Sequence, residues 1–249
     1  MTKTRILFVF FLLAFIVTLV LTVPVRLLWH HGGSQLGLPV EPRNLSGNLW
    51  QGSGDISLAG EEWRLHWQID PKTLGSAHVG YAISVNSNGM DLQGRLDYRP
   101  GSYRVTGLEG YADMARANPW LSQVDTELEG RLLVDNLDLQ WRPGHGQVSG
   151  DGRLDWQNGH AAFNWIDGQR RSVSLPPIEG AINTDAEGLT RALIRDVDND
   201  MPILLAELDS NSELMYRIYT HLRDVLQVEM PGGQEVIMEG QTNVREWLL

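Results

Sequence analysis

The feature that most constrains the fold is an alternation of apolar and polar residues that recurs along the chain. Between residues 63 and 70, Trp and aliphatic side chains alternate with Arg64, His66, Gln68 and Asp70. A period of two is typical of a β-strand with one apolar face. The same period returns at residues 81–85, 90–98, 137–141, 154–156 and 163–165. The chain is therefore predicted to be mainly β.

Turn signals separate these segments. They are Asn88-Gly89, Pro100-Gly101, Pro143-Gly144 and Asn158-Gly159. Asn-Gly between two alternating segments is a strong indication of a β-hairpin. We expect an antiparallel sheet that forms an open groove or closes on itself, two arrangements that the pattern does not distinguish. An open sheet would leave an edge and an apolar face that must be covered or used for binding.

Two segments depart from the alternation. Residues 111–117 are rich in Ala and precede Asn118-Pro119, which predicts a short helix that ends there. Residues 214–226 fit either a helix or a strand, and Tyr216, Ile218 and Tyr219 favour the strand. Weaker strand patterns follow Pro176-Pro177 at 189–195, 203–208 and 235–239.

One strand end is repeated. The order Leu, Asp or Gln, aromatic, polar, then a turn occurs at residues 96–101, 139–144 and 154–159. A chance repetition of alternating strands is one explanation. The other is a sheet that grows by reusing one strand type.

An uncharged segment of 20 residues precedes all of this. Residues 6–25 contain 16 Leu, Ile, Val or Phe residues, and a helix of that length matches a hydrocarbon core of about 30 Å. The segment is longer than the apolar part of a secretory signal, and bulky Val23 and Pro24 stand where a cleavage site would need small residues. We therefore predict an uncleaved transmembrane helix.

Lys3 and Arg5 precede that helix, so residues 1–5 are predicted to be cytoplasmic and the rest to lie on the other side of the membrane. Residues 26–44 mix Gly, Pro and polar residues without periodicity and are predicted to be a linker. A β-rich domain is then expected over residues 45–249. Its acidic, Trp-rich, cysteine-free composition suits the periplasm beside a bacterial inner membrane.

Composition narrows the possible functions. The 31 acidic and 20 basic residues give a net charge of −11, which disfavours nucleic acid as a partner. Without cysteine there is no disulfide, thiolate metal site or thiol catalysis. The seven histidines show no spacing that would place two on one helix face, and no nucleophile elbow or phosphate loop occurs. We predict no enzyme, cofactor or metal, although the acidic residues leave a glycan hydrolase as an alternative.

The nearest approach to a metal motif is the acidic segment from Asp196 to Asp200, followed by Glu207. The spacing is that of a calcium loop, but Met201 replaces the glycine that such a loop needs at position six. A solvated turn between two strands is the alternative that we favour. Calcium binding stays undecided by the sequence.

The segment 45–54, Leu-Ser-Gly-Asn-Leu-Trp-Gln-Gly-Ser-Gly, resembles the signature of the type II secretion system protein N family. Gly47, Trp50 and Gly52 fit its Gly-x-Leu-Trp-x-Gly pattern, and Trp63 and Trp67 fit the Trp-rich strand that follows. A Leu-x-Gly-x-Leu strand at 128–132 follows the candidate helix, as in that family. The resemblance extends over the whole chain in length and order, and its motifs are structural rather than catalytic.

The resemblance implies a single-pass inner-membrane accessory of the type II secretion system, which exports folded proteins from the periplasm across the outer membrane. Its partners would be other components of that apparatus and the inner-membrane bilayer, in an oligomeric state that the sequence does not give. A more distant resemblance is to AsmA-like proteins, whose β-grooves are thought to carry lipid. This suggests, as the alternative, a periplasmic lipid-binding or lipid-transfer groove.

Overall fold

The fold is taken from a computed structural model that describes residues 11, 18, 22–32, 42–58, 61–73, 78–122, 125–142, 147–165, 168–228 and 235–243. The predicted transmembrane segment 6–25 lies largely outside these residues. Within the described part, no helix combines the length and apolar character needed to cross a bilayer.

The described residues form one antiparallel sheet of 14 strands. The strands are β1 Pro42–Gly47, β2 Gln51–Leu58, β3 Glu61–Ile69, β4 Val79–Ser87, β5 Met90–Arg99, β6 Ser102–Asp113, β7 Thr126–Arg142, β8 Gln147–Asn164, β9 Arg170–Ser174, β10 Ile178–Thr184, β11 Thr190–Asp196, β12 Met201–Leu208, β13 Glu213–Tyr219 and β14 Val236–Asn243. Each pairs with the next along the chain, except that β8 pairs with both β9 and β10. The prediction of a mainly β, antiparallel sheet is confirmed, and of the two arrangements left open by the sequence the sheet adopts the open one.

The two faces of the sheet differ in chemistry. Leu65, Val85 and Leu92 stand opposite one another on β3, β4 and β5, so they share one face, which we call the apolar face. The opposite face carries cross-strand ion pairs, such as Arg64 with Asp55 at 3.0 Å. We call it the charged face. Alternation along each strand separates the two sets of side chains.

The four predicted turns have different outcomes. Asn88-Gly89 joins β4 to β5 and Pro100-Gly101 joins β5 to β6, as expected. Pro143-Gly144 lies outside the described residues. The predicted turn at Asn158-Gly159 is wrong, because β8 continues through it as a β-bulge opposite Gly130. Asn158 has a positive φ of 52°, so the Asn-Gly pair supplies the left-handed backbone that the bulge needs.

The helix predictions need correction. Tyr111–Asp113 belongs to β6, a 3₁₀ turn covers Met114–Ala117, and α2 (Asn118–Leu121) begins where the helix was expected to end. Pro119 tolerates this because the first turn of a helix needs no N–H at that position. Residues 214–226 are neither all strand nor all helix: β13 is followed by α3, His221–Leu226.

The sheet begins beside a short helix. Helix α1, Val25–Gly32, covers the start of the segment predicted as a linker, and β1 begins at Pro42, before the predicted domain start at residue 45. Pro24 forms an isolated β-bridge with Asn48. The chain that enters from the predicted transmembrane segment therefore meets the sheet at the β1–β2 turn.

Candidate functional site

The clearest candidate for a site is a cavity of about 640 Å³ on the apolar face. We call it the apolar groove. A row of directly opposed residues forms its floor across five strands: Leu154, Gly180, Ile194, Leu204 and Ile218. A parallel row of Leu132, Trp156 and Ile178 lies beside it. The remaining lining residues are Met114, Thr126, Leu128, Ala161, Phe163, Asn164, Trp165, Leu175, Ile203, Leu222, Val225 and Leu226.

The bulge in β8 shapes one wall of the groove. Gly130, opposite the bulge, has a φ of +106°, and a Cβ there would lie 2.7 Å from the indole nitrogen of Trp156. The absence of that Cβ lets the Trp156 indole lie against the backbone and donate a hydrogen bond to the Glu129 carbonyl at 3.1 Å. The rest of the ring faces the cavity. The indole thus adds apolar surface without an unpaired N–H.

Aromatic residues close the end of the groove near β9. Phe163 and Trp165 meet edge to face with ring centroids 6.1 Å apart. The Arg171 guanidinium lies 6.0 Å from the centre of the Trp165 ring. A cation over an indole face is attracted by the ring quadrupole. This places one positive charge at the margin of an otherwise apolar cavity.

Helix α3 covers part of the groove. Its Leu222, Val225 and Leu226 line the cavity, and Val225 is buried. The helix ends at Gln227 in the left-handed conformation, which turns the chain so that Val228 is buried as well. Six residues are too few for a stable isolated helix, so packing on the sheet must hold α3 in place.

A buried polar contact fixes the start of α3. The imidazole Nε2 of His221 lies 2.8 Å from the Asp196 carboxylate, which is only 1% exposed. That carboxylate also accepts hydrogen bonds from the backbone amides of Asp198 and Asn199 and from the Asn199 side chain. Burial alone would raise the pKa of Asp196, but the hydrogen bonds from Asn199, His221 and the two amides outweigh it and lower the pKa below 3.8.

This arrangement describes the segment that resembled a calcium loop. It is the β11–β12 turn, as the favoured alternative had it, with Asp196 engaged as above and Asp200 bonded to Arg195 at 2.7 Å. Among the described residues, no group of three or more His, Asp or Glu side chains is placed to hold a metal ion.

The residues predicted as a family signature lie together, away from the apolar groove. Gly47 and Gly52 are directly opposed on β1 and β2, and Gly52 is opposed to Trp67 on β3. A Cβ on Gly52 would overlap both the Ser46 carbonyl and the Trp67 ring. Gly47 has a φ of 87°, which glycine adopts without strain. The two glycines therefore let backbone and indole pack in direct contact.

Hydrogen bonds complete this corner, which we call the signature hairpin. The Asn48 side chain accepts from the amides of Trp50 and Gln51, and the Asn48 carbonyl accepts from the Trp67 indole at 3.2 Å. Trp50 also accepts from the Ile69 amide at 2.6 Å through its carbonyl. Trp63 lies closer to the start of β3 than Trp67 does, and it is opposed to Ile56.

A second cavity, of about 770 Å³, lies beside the signature hairpin, and its mixed lining includes the polar residues His66, Gln68, Gln93 and Glu109. The Gln93 amide donates to the Glu109 carboxylate at 2.9 Å, so part of this lining is already paired. The apolar groove is the better candidate for a ligand site, because apolar surface gives most of the free energy in small-molecule binding.

Sequence reasoning anticipated an apolar face and offered a groove as one arrangement, but it did not locate the groove. Alternation at 154–156 and 163–165 identified Trp156 and Phe163 as inward-facing, whereas His221 and the Gly180 row were missed and a helix within 214–226 was the less favoured alternative. The signal that could have found α3 is the run of Leu222, Val225 and Leu226, which have helical spacing.

Comparisons with known proteins add no relative. Neither the protein-family models, nor the curated proteins, nor the solved structures compared with this chain contain a match.

Proposed function

We propose that this chain is a non-catalytic accessory of the type II secretion system that supports the export of folded proteins from the periplasm. The observation that carries this proposal is the signature hairpin. The residues that resemble the secretion family are those whose contacts fix the corner at the start of the sheet, with Gly52 in contact with Trp67. A resemblance at such constrained positions supports shared architecture more strongly than one at free surface positions.

Export is measured by comparing secreted and periplasmic proteins in a deletion strain with those in the same strain carrying the intact chain. We expect folded exoproteins to accumulate in the periplasm of the deletion strain and to be cleared by complementation. Normal export in the deletion strain would contradict the proposal.

Two glycine variants make the test specific to the hairpin. Gly52→Ala should fail to complement, because its Cβ overlaps the Ser46 carbonyl and the Trp67 ring. Gly180→Ala is the matched control, because the nearest atom to its Cβ would be 3.5 Å away, an ordinary contact distance. Equal complementation by both variants, at equal protein levels, would show that export does not depend on the signature hairpin.

The apolar groove favours a second candidate function, the binding of a lipid acyl chain. Only Thr126 and Asn164 among its lining residues carry a side chain that is neither apolar nor aromatic. Its volume of about 640 Å³ lies within the usual range for ligand pockets, roughly 300–1,000 Å³. Each methylene moved from water into such a site contributes about 0.8 kcal/mol. The two functions are compatible, since an export accessory can also bind lipid.

A fluorescent fatty acid tests the groove. Affinity of the purified full-length chain should rise with acyl length by roughly fourfold per methylene until the cavity is filled. Gly180→Phe projects a ring into the groove and should weaken binding by roughly 15-fold, the contribution of about two methylenes. Ala181→Phe is the control, because adjacent strand residues point to opposite faces. Equal affinity of both variants would argue against the groove as the binding site.

A further inference from the structure

Three aromatic rings form an exposed row across β5, β6 and β7. Tyr98 is directly opposed to Tyr103, and Tyr103 to Trp141. The ring centroids are 5.3 Å apart for the first pair and 5.7 Å for the second. The three residues are 43%, 41% and 38% exposed. The row therefore presents a continuous aromatic surface to its surroundings.

This row lies at one end of the apolar face. Tyr98 follows Leu96 by two residues on β5, and Trp141 follows Leu139 by two on β7, so the rings share the face of those leucines. Tyr and Trp combine an apolar ring with a polar atom at its edge. That combination suits the boundary between water and a bilayer, where both residue types concentrate.

Two arginines lie at the same end of the sheet as the rings and project from the opposite face. Arg99 and Arg142 are the next residues after Tyr98 and Trp141, and both are exposed. Among the described residues neither forms an ion pair with a carboxylate, and Arg142 donates to two neutral amide oxygens, those of Gln147 at 3.3 Å and Gln140 at 3.1 Å. By contrast, Arg95 on the same strand pairs with Asp97 and Asp70. On a chain with a net charge of −11, these two guanidinium groups are a local source of positive charge, with Glu187 and Asp209 lining the same cavity as Arg142.

Pro24 lies at the same end of the sheet. Pro24 bridges to Asn48 in the β1–β2 turn, and the Trp50 carbonyl in that turn accepts from Ile69. Ile69 is opposed to Tyr81, which is opposed to Leu96, two residues before Tyr98. The segment predicted to span the membrane thus joins the sheet at the end where the rings and arginines lie.

We propose that this end, formed by Tyr98, Arg99, Tyr103, Trp141 and Arg142, docks on a bilayer surface that contains anionic phospholipid. The rings lie at the depth of the headgroups and the two guanidinium groups bind phosphate oxygens. The inference goes beyond the proposed function, since neither export nor acyl binding requires this contact.

The absence of cysteine allows a direct test on the full-length chain. A single cysteine at Pro100→Cys, between the two tyrosine strands, carries an environment-sensitive dye. Asn88→Cys is the matched control, because the turn at Asn88 joins β4 to β5 at the opposite end of β5. Both proteins are reconstituted in vesicles of phosphatidylcholine with or without phosphatidylglycerol, and a headgroup-level lipid quencher is added.

We expect quenching at position 100 and little at position 88, with phosphatidylglycerol increasing the effect. Arg99→Gln with Arg142→Gln should lower the ratio of docked to free sheet by roughly 30-fold, from about 1 kcal/mol for each arginine at an anionic surface. Tyr98→Ser with Tyr103→Ser should also reduce quenching.

Equal quenching at the two positions, or quenching unaffected by the arginine substitutions, would overturn the proposal. A dye response at position 100 to a soluble oligosaccharide, without response to the lipid quencher, would assign the rings to a glycan instead. Because the residues varied here lie outside the lining of the apolar groove, their outcome is separate from that of the acyl-binding test.

Discussion

Two glycines show how much a single residue decides in this sheet. Gly52→Ala should lower the free energy of unfolding by about 2 kcal/mol or more, since overpacking typically costs 1–3 kcal/mol. Gly180→Ala should leave the free energy of unfolding unchanged or raise it by a few tenths of a kcal/mol, because alanine restricts the unfolded chain. Urea unfolding of the two variants measures the difference. Equal stabilities would show that the contact between Gly52 and Trp67 is not constrained.

Asp196 gives stability a defined dependence on pH. Its pKa is lowered in the folded chain, so its contribution is complete above the unfolded value and is lost as pH falls through the folded one. We expect Asp196→Asn to cost about 1–3 kcal/mol at neutral pH. The gap to the wild type should narrow between about pH 5 and pH 2.

Asp198→Asn is the control for that measurement. Asp198 lies in the same turn and is exposed, and its carboxylate makes no hydrogen bond within the described part of the chain. Urea midpoints across the pH range should therefore match those of the wild type. The account of the turn would be wrong if the two Asn variants behaved alike.

At the scale of elements, Asn158-Gly159 shows why local signals misplaced a turn. The Asn-Gly pair indicates only that the backbone adopts a positive φ there, and both a hairpin turn and a bulge need such a residue. The bulge forms because β8 pairs with β7 on one side and with β9 on the other, so the strand continues through Asn158-Gly159. Asn158→Val should cost about 1–2 kcal/mol because a β-branched residue resists this conformation, whereas Asn158→Gly should be nearly neutral. Thermal unfolding of both variants separates the two effects, and equal losses would mean that φ at this position carries no strain.

Most strands could be predicted because their signal lies within the strand itself and does not depend on its neighbours. One face of each strand from β3 to β8 is apolar and the other polar, so the period of two is visible without knowledge of the neighbours. Helix α3 was only the less favoured alternative for residues 214–226, because its six residues follow a strand closely and depend on tertiary contacts with Asp196 and the groove. The position of the groove could not be predicted, because it needs the register that places Gly180 between Leu154 and Ile194.

At the scale of the whole molecule, the sheet grows by adding each strand to the previous one, and its first and last strands do not pair with each other. The two faces of this sheet differ in what they contribute. The charged face carries ion pairs that are mostly solvent-exposed and contribute little stability, whereas the apolar face retains a cavity that an apolar ligand can fill. We infer that the groove is the working part of the proposed accessory.

The most direct test of this claim is export by a deletion strain that carries Gly180→Phe, compared with the same strain carrying Ala181→Phe. Both variants add the same ring to β10, one within the groove and one on the charged face. We predict that exoproteins accumulate in the periplasm with Gly180→Phe and are secreted normally with Ala181→Phe, at equal protein levels. Normal secretion with both variants would contradict a role for the groove in export.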